Sequence, residues 1–153
     1  MPDEVIAASD ETAIRDLYGA LLAAWNARDA RAYAALFAPD GSLVGFDGSQ
    51  NNGRDAIEGA IGAIFAHHRT PTYVGKVVAI RVLRAGVALV RAAAGLVPPG
   101  QADLNPALNS VQSLTIVRDA GGWRIAHVHN TPAQFHGRPD LAEQLTAELR
   151  ALL

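Results

Sequence analysis

Ile14, Leu17, Tyr18, Leu21, Leu22 and Trp25 fall at the i, i+3, i+4, i+7 spacing of a helix with one buried face. This predicts a first helix over residues 10–28, with Ser9 or Asp10 as its cap. Residues 26–29 break the pattern. Asp29 then caps a second helix that buries Tyr33, Leu36 and Phe37 and stops at Pro39-Asp40-Gly41, so the two helices form a hairpin. Residues 42–46 read as a short strand, and residues 47–53 (DGSQNNG) have turn chemistry throughout. A third helix is predicted over 54–68, with Ile57, Ile61, Ile64 and Phe65 as its stripe. After Pro71 the period changes, because β-branched residues dominate and helical spacing disappears. Residues 72–84 and 87–97 read as a hairpin across Ala85-Gly86, and 109–118 and 123–130 as a second hairpin around residues 119–122. Between them, residues 98–108 carry three prolines and a glycine and are expected to form a flexible loop. A last helix over 140–152 starts at Asp140 and lines up Leu141, Leu145, Leu149 and Leu152.

Helices followed by a run of antiparallel strands predict an α+β class: a curved sheet wrapped over the N-terminal helices into a cone, with an extra C-terminal helix. A bent sheet with helices across its concave side leaves a conical cavity, where binding or chemistry would sit. The 153 residues suit one domain, 1–153. A chain of this size buries roughly 70% of its extended surface, enough for a core with an internal pocket. Half of the residues are apolar, 18% are charged and the net charge is −2, which excludes a disordered chain. The 12 arginines and one lysine are scattered, so no basic stripe exists and no nucleic-acid partner is expected. Cysteine is absent, which excludes disulfides, thiolate nucleophiles and cysteine-based metal centres. The opening MPDEV carries acids where a secretory leader needs basic residues, and Arg91 interrupts the apolar stretch from Val87. A cytoplasmic protein with no membrane partner is expected.

Three segments together resemble a known family: AWNARDARAYAALFAPDG, the Gly53-Arg54 pair opening the third helix, and the ending GWRIAHVHNTP. They are similar to the nuclear-transport-factor-two-like superfamily, most closely its SnoaL-like, SgcJ/EcaC-like branch, over about residues 10–133. The last segment is the most specific. The resemblance implies a cone-shaped α+β fold and a homodimer formed through the sheet. The superfamily holds isomerases, cyclases, dehydratases and hydrolases beside members that only bind or assemble, so function stays open. An oxidoreductase reading finds no support, because no GxGxxG motif follows a strand.

Candidate cavity residues follow from strand parity. If Arg118 pairs with Trp123, then Ile116 faces Ile125, Leu114 faces His127 and Gln112 faces His129, all on one side of the sheet. The other side carries Val111, Ser113, Thr115 and Val117 with Arg124, Ala126, Val128 and Asn130. The bulkier first side is assigned to the cavity and the second to the dimer contact. Gln112, His127 and His129 become polar groups in an apolar wall of Leu114 and Ile125, with Tyr18 and Trp25 from the first helix as aromatic lining. Phe46, Tyr33 and Tyr73 are placed at the mouth, although tyrosines at helical spacing also suit a core. Asn130 and Thr131 match the family's ending, but parity turns Asn130 away from the cavity.

Buried polar groups need partners, from the protein or from a ligand. Histidine acid–base work by His129 or His127, with Tyr18 or Gln112 polarising a carbonyl or hydroxyl, is one reading. The plainer alternative, in which each histidine is satisfied by a core or subunit-contact hydrogen bond, stays open. His127 and His129 alternate on one strand at a spacing of roughly 7 Å that metal sites use. They lack a third ligand nearby, so no metal and no cofactor is expected. No Asp or Glu lies in the four long predicted strands, and only Asp40, Asp47 and Glu58 could supply a carboxylate base. The expected function is a conical pocket for a small hydrophobic, aromatic or polyketide-like molecule, in a binding or accessory role in secondary metabolism. A cofactor-independent lyase, isomerase or cyclase is the first alternative, and an assembly module the second.

Overall fold

The N-terminal helix α1 (Ala8–Asn26) buries Ile14, Tyr18 and Leu21, the stripe its spacing predicts. It starts two residues earlier than the pattern suggests and carries no side-chain cap. The structure, a computed structural model, describes residues 6–153. Residues 1–5, which bear the expectation of no secretory leader, lie outside the described residues. Asp29 caps α2 (Ala30–Ala35), its Oδ1 accepting from Ala32 N at 2.9 Å. This helix is shorter than predicted. Phe37 already belongs to strand β1 (Phe37–Val44), because Ile125 N donates to Leu36 O at 2.9 Å and Phe37 pairs with Ile125. Strand pairing wins over helix continuation there, and Phe37 is fully buried.

Strand β1 turns back through a tight hairpin into β2 (Gln50–Asn52), and α3 (Arg54–His67) follows, burying Ile57, Ile61 and Phe65. The long hairpin of β3 (Thr72–Arg84) and β4 (Val87–Val97) and the second hairpin of β5 (Ser110–Asp119) and β6 (Gly122–Pro132) complete one six-stranded sheet. Its order is β2-β1-β6-β5-β4-β3, antiparallel except for the parallel β1–β6 pair. The curved, unclosed sheet wraps α1, α2 and α3. Their apolar stripes meet Val90, Leu114, Ile116, Ile125 and Val128 in the main core.

The closing helix α4 (Pro139–Arg150) begins at Pro139, with Asp140 in its first turn rather than capping it. It packs on the outer face of the sheet and does not plug the mouth of the cone. Leu145 and Leu149 join Ala93 of β4, Leu104 and Val74 in a second cluster. Both faces of β4 are therefore covered, and Ala92, Ala93 and Ala94 are all buried. Residues 98–108, expected to be a free loop, are fastened to the body. Leu104 is buried in that second cluster, Asn105 N donates to Leu96 O at 2.9 Å, and Asp103 pairs with Arg150 at 2.9 Å. Among the described residues no helix is long and apolar enough to cross a membrane.

Candidate functional site

The face assignment turns on one residue in β6. Arg118 pairs with Trp123 and Ile116 with Ile125, as parity requires, but Thr115 then pairs with His127. Ala126 has no partner: it is a β-bulge, two residues opposing one, and it reverses the alternation beyond it. Val128, 2% exposed, and Asn130 now face inward with Leu114 and Gln112. His127 and His129, expected inside the cavity, lie on the outer face beside Thr115 and Ser113, and His129 is exposed. Ser42 Oγ sits 2.6 Å from His127 Nδ1, and the two imidazole centroids are 6.0 Å apart. Neither ring belongs to the cavity wall. Among the described residues no group of three metal-ligating side chains forms.

Tyr18 and Gln112 are inward-facing, as expected, but they satisfy one another. The phenol donates to Gln112 Oε1 at 2.6 Å, and both residues are 3% exposed. Burial, and secondarily the nearby Tyr73, pushes the Tyr18 phenol well above its ordinary range, so it stays protonated. Leu114 and Ile125 are fully buried in the core and do not line the cavity.

The cavity itself, about 270 Å³, lies between α1, α2, α3, the β1–β2 hairpin and the ends of β3 and β6. Four aromatic rings line it: Trp25, Tyr33, Phe46 and Tyr73. Each ring is fixed. Trp25 Nε1 donates to Pro71 O at 2.9 Å, and its ring packs edge-on against Phe65 and Tyr73 at 5.2 and 5.5 Å. Asn26, the last residue of α1, clamps the start of β3: its Nδ2 donates to Tyr73 O at 3.0 Å and its Oδ1 accepts from Tyr73 N at 2.8 Å. Arg28 holds the far end of α3, donating to the Phe65 and His68 carbonyls and to Thr70 Oγ1.

Polar groups on the wall are few. Asn130 Nδ2 donates to the Tyr73 hydroxyl at 3.1 Å, while Asn130 Oδ1 is buried with no partner. Burial raises the Tyr73 phenol above its ordinary value despite the Asn130 hydrogen bond, so it remains neutral at physiological pH. Among the described residues Asp47 is the single charged one lining the cavity, at its exposed rim. Ser49 N and Ser49 Oγ, each at 2.9 Å, hold its carboxyl below the usual range. The lowered value means this turn is fully stabilised above the ordinary carboxylate range and loosens only as pH falls through it.

Sequence parity missed Asn130, and its match to the family's ending was the one signal that pointed to it. Asp47 was legible as one of three carboxylates that could serve as a base, and as part of the turn over residues 47–53. A wider, shallow depression of about 640 Å³ over Val111 and residues 132–138 lies open on the surface, with none of these rings.

The site and the fold define a curved-sheet α+β protein with an aromatic cavity at the mouth of the cone. The model of the SnoaL-like domain matches residues 14–133, and the chain belongs to that family. Among solved structures it is similar to a domain of unknown function with a cystatin-like fold from Nostoc punctiforme, at 23% identity and TM-score 0.81, covering 91% of this chain and 86% of that one. An NTF-2-like protein of unknown function from Shewanella oneidensis aligns at 20% identity and TM-score 0.66, over 79% of this chain and 98% of that one. A putative scytalone dehydratase from Novosphingobium aromaticivorans aligns at 18% identity and TM-score 0.68, over 82% and 85%. No curated protein matches the sequence.

Proposed function

We propose that this chain binds a small apolar molecule containing an aromatic ring, in a binding or accessory role in secondary metabolism. SnoaL-like membership fits a ligand-binding or lyase-type role. The observation that carries the reading is the cavity of about 270 Å³ with Trp25, Tyr33, Phe46 and Tyr73 on its wall. Its volume is at the small end of ligand pockets, and aromatic walls with a few fixed polar groups are what such pockets use. The working unit is a homodimer of this SgcJ/EcaC-like branch, in the cytoplasm, formed through the part of the sheet that α4 leaves uncovered.

Ala60 of α3 lines the cavity and is half-buried, so Ala60→Trp places an indole in the open space without disturbing the core stripe. Titration of labelled protein with 2-naphthol should shift the amides of Ile61, Tyr73 and Asn130, and Ala60→Trp should weaken that binding at least tenfold while circular dichroism stays native. Binding undiminished by the indole overturns the reading.

The second reading is a cofactor-independent lyase, isomerase or cyclase. A solved structure with the same fold is described as a putative scytalone dehydratase. With both histidines outside, acid–base work would fall to Asp47, the only ionised group on the wall among the described residues, with Tyr73 as the hydrogen-bond donor. Asp47→Asn separates the two: it should leave ligand binding in place under the binding reading, and abolish turnover under the lyase reading.

A further inference from the structure

Asn130 Oδ1 is a buried acceptor with no partner in a residue that lines the cavity. Buried side-chain acceptors in folded proteins are almost always paired, and this one, closed off from the hollow in this conformation, is an acceptor whose bond a ligand completes once the amide swings toward the cavity. Its neighbour is as informative. The Tyr73 hydroxyl accepts from Asn130 Nδ2, and among the described residues its own hydrogen has no acceptor. The pair therefore presents one free donor and one free acceptor side by side. Turning the amide over preserves that count: the phenol would then donate to Oδ1, leaving an amide N–H as the free donor and the phenolic oxygen as the free acceptor.

A group that completes both bonds must itself donate and accept, which a hydroxyl does and an ether or a carboxylate does not. Charge narrows the class further. Among the described residues Asp47 is the only charged one on the wall, and no Lys, Arg or His lines it. An anionic ligand would meet a carboxylate at the rim and no cation within. We propose that Tyr73 and Asn130 form the recognition point for a neutral ring-borne hydroxyl, so the ligand class is a phenol or a ring alcohol rather than an aromatic acid or a hydrocarbon. This rests on the cavity being a ligand site.

The test uses the full chain and four probes of one ring system: naphthalene, 2-methoxynaphthalene, 2-naphthol and 2-naphthoate, titrated by calorimetry or amide shifts. 2-Naphthol should bind roughly tenfold more tightly than naphthalene or its methyl ether, the effect of completing a buried hydrogen-bonding pair. 2-Naphthoate should bind most weakly. In Tyr73→Phe, which keeps the ring, and in Asn130→Ala, the affinity ratio of naphthol to naphthalene should fall toward one. Equal binding of naphthol, ether and hydrocarbon by the native chain overturns the hydroxyl assignment and leaves the cavity reading standing, with water completing the pair. A ratio that survives both substitutions also overturns it. Absence of binding by all four probes up to their solubility overturns the cavity reading and this assignment with it.

Discussion

Val128→Asp should cost roughly 3–6 kcal/mol, a large share of the 5–15 kcal/mol that holds a domain folded. Val128 is 2% exposed and faces Leu114 only because Ala126, which has no cross-strand partner, is looped out of the ladder ahead of it. Losing its burial forfeits about 1.5–3 kcal/mol. A polar group brought in beside Leu43 and Leu114 without a partner costs about 1–3 kcal/mol more. Urea denaturation should show a much lower midpoint or no cooperative transition. His129→Asp, one residue further on and on the exposed outer face, should cost about 0.5 kcal/mol or less. Deleting Ala126 should also be mild, about 1 kcal/mol or less, because His127 then follows Ile125 directly opposite Thr115 and every inward residue keeps its side. Val128→Asp tolerated as well as His129→Asp would mean that the bulge does not set the inward face.

Gly75→Ala is the second large effect, expected at roughly 2–5 kcal/mol. A Cβ at Gly75 would lie 2.5 Å from the Tyr18 hydroxyl, 2.9 Å from Leu22 Cδ1 and 3.2 Å from the Ala93 carbonyl oxygen. The carbonyl belongs to the neighbouring strand and cannot withdraw. Tyr18 is held by its helix and by the 2.6 Å bond to Gln112, so making room means breaking a buried hydrogen bond. The melting temperature should fall by roughly 5–15 °C for a chain of this length. Tyr18→Phe removes the closest obstacle. The double variant should therefore be less destabilised than the sum of the singles by about 1 kcal/mol or more, and strict additivity would show that the phenol is not what the methyl meets.

Much of the architecture was legible because it depends on short-range periodicity. The stripe of α1, the Asp29 cap, the stripe of α3 and both hairpins follow from the spacing of apolar residues and from turn chemistry. Phe37 was misplaced in a helix because its position relative to Tyr33 suits either a helix stripe or the first residue of a strand, and its burial is the same in both. Four of the aromatic residues expected around a pocket, Trp25, Tyr33, Phe46 and Tyr73, lie on one cavity wall. What failed was the polar half of the site. Two imidazoles at alternate positions read as a cavity pair, and Asn130 as a residue pointing away, through a strictly two-residue alternation that the strand does not keep.

From residue order alone came the class of fold, the helix faces, the two long hairpins and the absence of thiols. All of these are written in local spacing and composition. Tertiary structure decided that α4 lies on the back of the sheet, that Tyr18 and Gln112 satisfy each other, and that Asn130 rather than His129 reaches the hollow. An inserted residue such as Ala126 leaves no mark in hydrophobic pattern, since either face of β6 can be built from these side chains. Only the simultaneous demands of β1 on one edge and β5 on the other, together with the burial of Ile125 and Val128 three residues apart, select the bulged strand.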